Sequence, residues 1–263
     1  MYIELHCASA FSFLQGASLP ETLVERAAAL GYPALALLDA DGVYGAPRFH
    51  KAARKAGLKA IIGAELTIAP FHNSERITQR NDPHRPQRHG ATEDKHGNLR
   101  VSVTQWPVTS SGCWQLPVLV ESQEGYRNLC RLVTRMKMRG LLDESPSAHT
   151  WTRERKGGAL VLEELEGWTT GLVALGGRRL LDGQYYGVGG LLDRLVGIFG
   201  RRNVCVELQR HLLRDDETEN VALEALARAF RVPMVATNGV RFAEPAERPL
   251  FDVLTCVRHR TTR

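Results

Sequence analysis

The chain has 263 residues, 43% of them hydrophobic, a length that allows one large α/β domain or two ordinary ones. Its net charge of +5 favours an anionic partner such as nucleic acid, but 34 basic residues are spread against 29 acidic ones, so simple solubility explains it equally well. Five widely spaced cysteines without a C-x-x-C pair argue against a disulfide framework or a zinc ribbon. The start of the chain lacks a signal-type apolar stretch, and no run approaches the roughly 18 apolar residues of a membrane span. We therefore expect a cytoplasmic protein, with one domain that carries an insertion.

Short apolar runs alternate with amphipathic segments along most of the chain. This alternation predicts seven strands, at residues 2–5, 34–38, 59–66, 116–121, 171–177, 203–209 and 232–238. Helices are predicted between them, at 19–31, 46–57, 124–140, 190–200 and 215–231, the first with Ser18 as N-cap and Glu21 closing a capping box. The first three predicted strands are separated by helices, which predicts that they pair in parallel. Either a closed barrel or an open doubly wound sheet satisfies the whole order.

Residues 70–115 interrupt the pattern. This stretch is polar, with scattered Pro and Gly, and contains four of the nine histidines. A structureless segment of this length is unusual inside a compact domain, so it is interpreted as a surface insertion.

Polar residues follow several predicted strands at the points where those strands end. They are His6, Asp39, Asp41, Glu65, His211 and Asn238. Because functional side chains of parallel α/β folds gather at the carboxyl ends of strands, these residues are candidates for one site. Histidines and carboxylates that converge from separate strands are the ligands that zinc, manganese or iron requires.

Five segments carry a specific family resemblance: "ELHCASAFSFLQGAS", "ALALLDADGVYGAPRFHKAARKAGLKAIIGAEL", "EGYRNLCRLVT", "VELQRH" and "PMVATNGVRFAEP". Together they resemble the PHP (polymerase and histidinol phosphatase) domain at the amino terminus of bacterial C-family DNA polymerases, the polymerase III α subunits, and most closely the error-prone branch. The resemblance implies a distorted seven-stranded (β/α) barrel of PHP type over residues 1–245, with the polar insertion at about 70–115. It also implies that residues 246–263 begin the connection to a polymerase region.

The chain departs from the family's metal-ligand motifs. The family's motifs read H-x-H, T-D-H and T-N-D-x-H, and the family has an aspartate at the position before Gly16. At five of these ligand positions the chain has residues that cannot replace a histidine or aspartate at a metal: Ala8, Gln15, Ala40, Gly239 and Arg241. His6, Glu65 and His211 still match ligand positions, with Asp39 as a neighbour. Three scattered ligands hold at most one ion, and Arg241 adds a positive charge that opposes cation binding.

The main hypothesis is therefore a PHP domain of an error-prone DNA polymerase III α-like protein that acts as a non-catalytic structural platform. Its expected partners are the polymerase region, DNA through the parent protein, and a replication or repair assembly. No cofactor is expected, and the chain should have neither polymerase nor phosphoesterase activity of its own.

Two alternatives stay open. One is a residual metal-dependent phosphoesterase or 3′-5′ exonuclease with a single zinc or manganese ion on His6, Glu65 and His211. The other is a non-catalytic DNA-binding module that uses the insertion and four arginines, Arg201, Arg202, Arg210 and Arg214.

Overall fold

The fold is built on one six-stranded sheet. A computed structural model of the chain describes residues 2–69, 113–142, 158–182 and 187–262. The strands, in their spatial order, are β1 (Ala34–Ala40), β2 (Lys59–Ile68), β3 (Trp114–Val120), β4 (Leu172–Gly176), β5 (Val204–Gln209) and β6 (Met234–Thr237). β1 is buried along almost its whole length. A strand covered on both faces is an uninterrupted apolar run, which is how "ALALL" stands in the sequence.

The strands do not all run in one direction. β1 and β2 are parallel, and so are β4, β5 and β6, but β3 is antiparallel to both of its neighbours. The parallel pairing predicted for the first part of the chain is confirmed for β1 and β2, and the direction changes at β3. A parallel neighbour would require the chain to return to the end of the sheet where β2 begins. An antiparallel neighbour starts at the end where β2 finishes, so β3 can pair with β2 without a crossover connection.

Residues 2–5, predicted as the first strand, form one isolated bridge instead, between Glu4 and Leu35, and Cys7 just after them forms a second with Val240. The segment contacts both ends of the sheet: the Ala36 amide donates to the Glu4 carbonyl at 2.9 Å on the β1 side, and the Ala8 amide donates to the Val240 carbonyl at 2.9 Å beyond β6. Over the described residues the strand count is thus six, where seven were predicted.

The predicted insertion lies almost wholly outside the described residues, since 70–112 are not among them. At its far end the predicted boundary is too long, because Trp114 and Gln115 already belong to β3.

Helices cover the sheet. They are α1 (Pro20–Ala29), α2 (Ala46–Ala56), α3 (Gln123–Leu142), α4 (Gly190–Phe199), α5 (Asp216–Phe230) and α6 (Arg248–His259). The predicted cap of α1 is wrong: Leu19 precedes the helix, and the Ser18 hydroxyl donates to Glu247 Oε2 at 2.6 Å. In the part of the chain described, no helix is both long enough and apolar enough to cross a membrane.

Three apolar clusters hold these layers together. The largest joins β2–β5 to α3, α4 and α5, and the second joins β1 to α1 and α2. The third joins β1, β3 and β4 through Ala36, Leu38, Leu119 and Leu175. Buried polar residues lie beside these clusters, at the carboxyl ends of β1, β5 and β6 and at Glu65 of β2.

Candidate functional site

His6 lies at the centre of a buried ion-pair network. The residue is brought there by the amino-terminal segment, which places it between β2 and β5. Its Nε2 lies 2.6 Å from Glu65 Oε1, and its Nδ1 lies 2.6 Å from Glu207 Oε1. The side chain of His6 is 8% exposed, and those of Glu65 and Glu207 are 2% and 5% exposed. Both ring nitrogens are therefore committed to carboxylates in a site almost closed to water.

Arg241, from the loop after β6, completes the network. Its Nη2 donates to Glu65 Oε1 at 2.6 Å and its Nη1 donates to Glu65 Oε2 at 3.3 Å. This two-pronged contact is the geometry in which a planar guanidinium matches a carboxylate. We call His6, Glu65, Glu207 and Arg241 the His6 network.

The protonation states make the His6 network electrically neutral. Burial lowers the pKa of His6, but the charges of Glu207 and Glu65 outweigh burial and raise the pKa to about 10. Burial raises the pKa of Glu65, but Arg241 and His6 outweigh it and hold that pKa well below its usual range. Glu207 has a lowered pKa because His6 and Thr237 outweigh the effect of burial. Two carboxylates thus face one imidazolium and one guanidinium.

Glu207 is the member of this network that sequence reasoning missed. It lies in β5, where Thr237 Oγ1 donates to its Oε1 at 2.6 Å and Gln209 Nε2 at 3.2 Å. The signal was present in the run "NVCVELQ", since an acidic residue within an apolar strand has to be buried with a partner.

Asp39 forms a separate network. Its Oδ1 accepts hydrogen bonds from the Ser9 amide at 2.9 Å, the Ser9 hydroxyl at 2.8 Å and the Ser12 hydroxyl at 3.0 Å, and its Oδ2 accepts one from the Gly45 amide at 2.9 Å. The aspartate thus fastens the loop after His6 to the start of α2, and both of its oxygens are used for that purpose.

His211 lies at the edge of this region and is exposed. Its Nε2 is 3.3 Å from Gln209 Oε1, while Gln209 Nε2 is 3.5 Å from His6 Nδ1. The structure therefore brings together two of the three predicted ligands, His6 and Glu65, and places Gln209 between them and His211.

The two other strand-end residues have structural contacts. Asp41 accepts hydrogen bonds from the amide and the hydroxyl of Thr67, at 2.8 and 2.9 Å. The backbone amide of Asn238 donates to Glu4 Oε2 at 3.0 Å, which joins the loop after β6 to the amino-terminal segment. Asn238 therefore helps to hold the loop that carries Arg241 against the segment that carries His6, whereas Asp41 joins the loop after β1 to β2.

Comparisons with known sequences identify relatives of the chain. It is 37% identical over 267 residues to the error-prone DNA polymerase of Anaeromyxobacter sp. (strain K), covering 99% of this chain and 19% of that protein. It is also 37% identical over 260 residues to the error-prone DNA polymerase of Mycolicibacterium paratuberculosis, covering 98% of this chain and 20% of that protein. The chain thus spans about a fifth of the length of these relatives.

Solved structures with the same fold are much more distant in sequence. A protein assigned as a metal-dependent phosphoesterase from Bifidobacterium adolescentis superposes with a TM-score of 0.56 at 12% identity, over 92% of this chain and 89% of that chain. An amidohydrolase from Chromobacterium violaceum, solved with sulfate and no metal, gives a TM-score of 0.53 at 16% identity, over 94% and 89% of the two chains. At these identities the likeness concerns the fold.

The family itself is identified by sequence. Residues 4–211 match the family described as the PHP domain, and this range contains β1–β5 together with His6, Glu65 and Glu207. The match agrees with the resemblance seen in the sequence motifs, and the mixed α/β fold agrees with the structural neighbours. The chain therefore belongs to the PHP domain family.

Proposed function

We propose that this chain is the PHP domain of an error-prone DNA polymerase III α-like protein and that it serves there as a non-catalytic structural platform. Its partners would be the polymerase region of the parent protein and, through that region, DNA in a cytoplasmic replication or repair assembly. The similarity to polymerases about five times longer supports the first part of the proposal.

The His6 network is the single observation that carries the structural role. A divalent ion at this position would need one ring nitrogen of His6 and the carboxylate that faces it, Glu65 on the Nε2 side or Glu207 on the Nδ1 side, as ligands. Those atoms already bind one another and Arg241. The donor set therefore does not fit an ion while the network is intact, because Arg241 and protonated His6 supply the positive charge that an ion would bring.

The seven-stranded barrel expected for the family also belongs to this proposal. The Glu4 and Cys7 carbonyls accept hydrogen bonds from β1, and residues 6 and 8 exchange hydrogen bonds with Val240. These contacts support a role for residues 4–8 as the seventh element, which joins the two edge strands at the position of His6. We also propose that the domain ends near residue 245, before α6.

The alternative is a residual phosphoesterase or 3′-5′ exonuclease with one ion on His6, Glu65 and His211. That arrangement requires His6 to release a carboxylate and His211 to displace Gln209, which lies between them.

Metal content decides between the two. Protein purified without chelator is analysed by plasma mass spectrometry, and its thermal midpoint is measured against added zinc and manganese, with His211→Ala as the matched variant. We expect no stoichiometric ion, no shift of the midpoint and no hydrolysis of a phosphodiester substrate. One ion per chain that raises the midpoint, and that His211→Ala loses, would establish the residual site instead.

A further inference from the structure

A strongly basic surface lies at the opposite end of β2 from the His6 network. Between Asp41 and Glu65 the sequence has no acidic residue, but it has five lysines and arginines and one histidine. Lys59 begins β2, and Glu65 lies six residues further along the same strand, which is about 20 Å at the rise of a β-strand. The basic surface is therefore separate from the candidate metal position.

Three of these side chains share one concave feature. His50, Arg54 and Lys59 line an open cavity of about 270 Å³, with Leu58 and Ala60 as its apolar lining. His50 and Arg54 are one helical turn apart on α2 and so project from the same face. Lys51 and Lys55 repeat this spacing on the adjacent face. We call His50, Lys51, Arg54, Lys55 and Lys59 the α2–β2 basic surface.

These charges are not used by the fold as far as the described residues show. Arg48, the remaining basic residue of the segment, is paired with Glu21 on α1 through Nε and Oε1 at 2.6 Å. Among the residues placed in the structure, no carboxylate forms an ion pair with Lys51, Arg54, Lys55 or Lys59. Arg54 and Lys55 lie in the last turn of α2, where cations favour the helix dipole. That explanation does not extend to Lys51 or Lys59.

The chemistry of the surface selects among anionic partners. Protein interfaces and membrane surfaces are anchored by exposed aromatic or large apolar side chains. Within the described structure the basic surface has none, because the exposed large hydrophobic residues lie elsewhere. Ammonium and guanidinium groups in rows, without such an anchor, are suited to bind the regularly spaced phosphates of a nucleic acid. Contacts of this kind do not depend on the base sequence.

We propose that the α2–β2 basic surface binds the phosphodiester backbone of nucleic acid. This binding does not depend on the base sequence of the nucleic acid. It also does not involve the His6 network, so it is independent of the proposed loss of metal.

The test is a salt titration of binding to a short fluorescein-labelled DNA duplex by fluorescence anisotropy, with the full chain. The variant Arg54→Gln/Lys59→Gln is compared with Arg201→Gln/Arg202→Gln, which removes the same charge from two exposed arginines before β5. In Arg54→Gln/Lys59→Gln the loss of two phosphate contacts should reduce the steepness of the plot of log K against log salt by about 1.8. Raising the salt from about 50 to 200 mM should therefore weaken DNA binding by this variant roughly tenfold less than it weakens binding by the wild type. The comparison variant, whose arginines belong to the alternative DNA-binding module, should keep the wild-type slope, and a reduced slope in that variant alone would overturn the proposal.

Two further results would overturn the proposal. Equal slopes in the two double variants would mean that overall charge, and not this surface, controls binding. Displacement of the duplex by millimolar inorganic phosphate at constant ionic strength would show a site for a small phosphate ligand instead of a polyanion. Far-ultraviolet circular dichroism and the thermal midpoint of each variant establish that the fold is retained.

Discussion

Arg241 binds Glu65 with both arms of its guanidinium, with Nη2 at 2.6 Å from Oε1 and Nη1 at 3.3 Å from Oε2. The contact joins the loop after β6 to β2, two segments separated by 175 residues of sequence between them and brought together at the edge of the sheet. Through Glu65 and His6 it extends to Glu207 on β5. The network thus connects three parts of the fold: the amino-terminal segment, the sheet, and the loop after β6.

Removal of the guanidinium should destabilise the domain. In Arg241→Gln, Glu65 stays buried and keeps only His6 as a charged partner. Breaking a buried pair by removing one side costs about 3 to 5 kcal/mol, and the partial exposure of Arg241 places this case at the lower end. We expect the free energy of unfolding, measured with urea, to fall by about 3 kcal/mol.

The matched control is Arg48→Gln. Arg48 and Glu21 are also joined at 2.6 Å, but their side chains are 49% and 35% exposed. Exposed pairs contribute under about 1 kcal/mol. Equal losses in the two variants would contradict the assignment of Arg241 as the stabilising cation of a buried site.

The stability of the domain should decline in alkaline solution. The pKa of His6 is raised from 6.5 to about 10 in the folded protein. Its contribution to the free energy of unfolding is therefore complete below pH 6.5 and is lost as the pH rises toward 10. The slope should not exceed about 1.4 kcal/mol per pH unit. Glu65 and Glu207 have lowered pKa values, so their contribution is present above the ordinary glutamate pKa and is lost as the pH falls below it.

Urea unfolding at a series of pH values measures this decline, and His6→Gln should flatten it. His50→Gln, which changes an exposed histidine on α2, should leave the slope as it is. Nitrogen-15 spectra of the imidazoles give a direct check, since His6 should still be protonated at pH 8. A neutral His6 ring at that pH would be inconsistent with the charge state of the network.

The sequence predicted the strands better than it predicted their directions or the site. The continuous apolar run at 34–38 identified β1 because burial on both faces leaves a local pattern, and shorter apolar runs identified the five other strands, including the more exposed β6. The antiparallel direction of β3 and the bridging role of residues 2–5 depend on long-range pairing, which local pattern does not record. The positive charge of Arg241 was recognised as opposed to metal binding, but its bond to Glu65 was not visible. Glu207 was missed because it lies within β5, whereas the candidate residues were taken from strand ends and from the family motifs, which contain His211.

Gly45 should be intolerant of a side chain because it lies against Asp39. Its amide donates to Asp39 Oδ2 at 2.9 Å, and a Cβ added to Gly45 would lie 2.6 Å from the same oxygen. Gly45→Ala therefore has to displace the aspartate from its hydrogen bonds with Ser9 and Ser12, at a cost of at least about 2 kcal/mol. Thermal and urea unfolding measure this loss.

The matched control is Gly197→Ala, which adds the same methyl group in α4. Among the described residues, apart from the backbone of α4 itself and the two chain neighbours, no atom lies within 4 Å of a Cβ at Gly197. Alanine in an open helical position is favoured over glycine by about 1 kcal/mol, so this variant should be slightly more stable than the wild type. A harmless Gly45→Ala would show that Asp39 does not need its present position.

Replacement of Arg241 by histidine should create a response to metal that the wild type does not have. Arg241→His removes the fixed guanidinium and adds a neutral nitrogen donor beside Glu65, so Nε2 of His6, Glu65 and the new imidazole can contact one cation on the Glu65 side of the His6 ring. At a concentration about a hundredfold above its dissociation constant, a bound ion adds about 2.7 kcal/mol to the stability. For a protein of this size that amounts to a rise of several degrees in the thermal midpoint.

Zinc and manganese titrations followed by scanning calorimetry test this expectation on three proteins. The wild type should not respond, and Arg241→Gln, which loses the charge without gaining a donor, should respond less than Arg241→His. Adding His211→Ala to Arg241→His should leave the response intact, because Gln209 separates His211 from His6. If His211→Ala abolished the response, His211 would be a ligand and the set of His6, Glu65 and His211 would be supported. A wild-type response equal to that of Arg241→His would mean that Arg241 does not exclude the ion, and the structural role proposed for the His6 network would be lost with it.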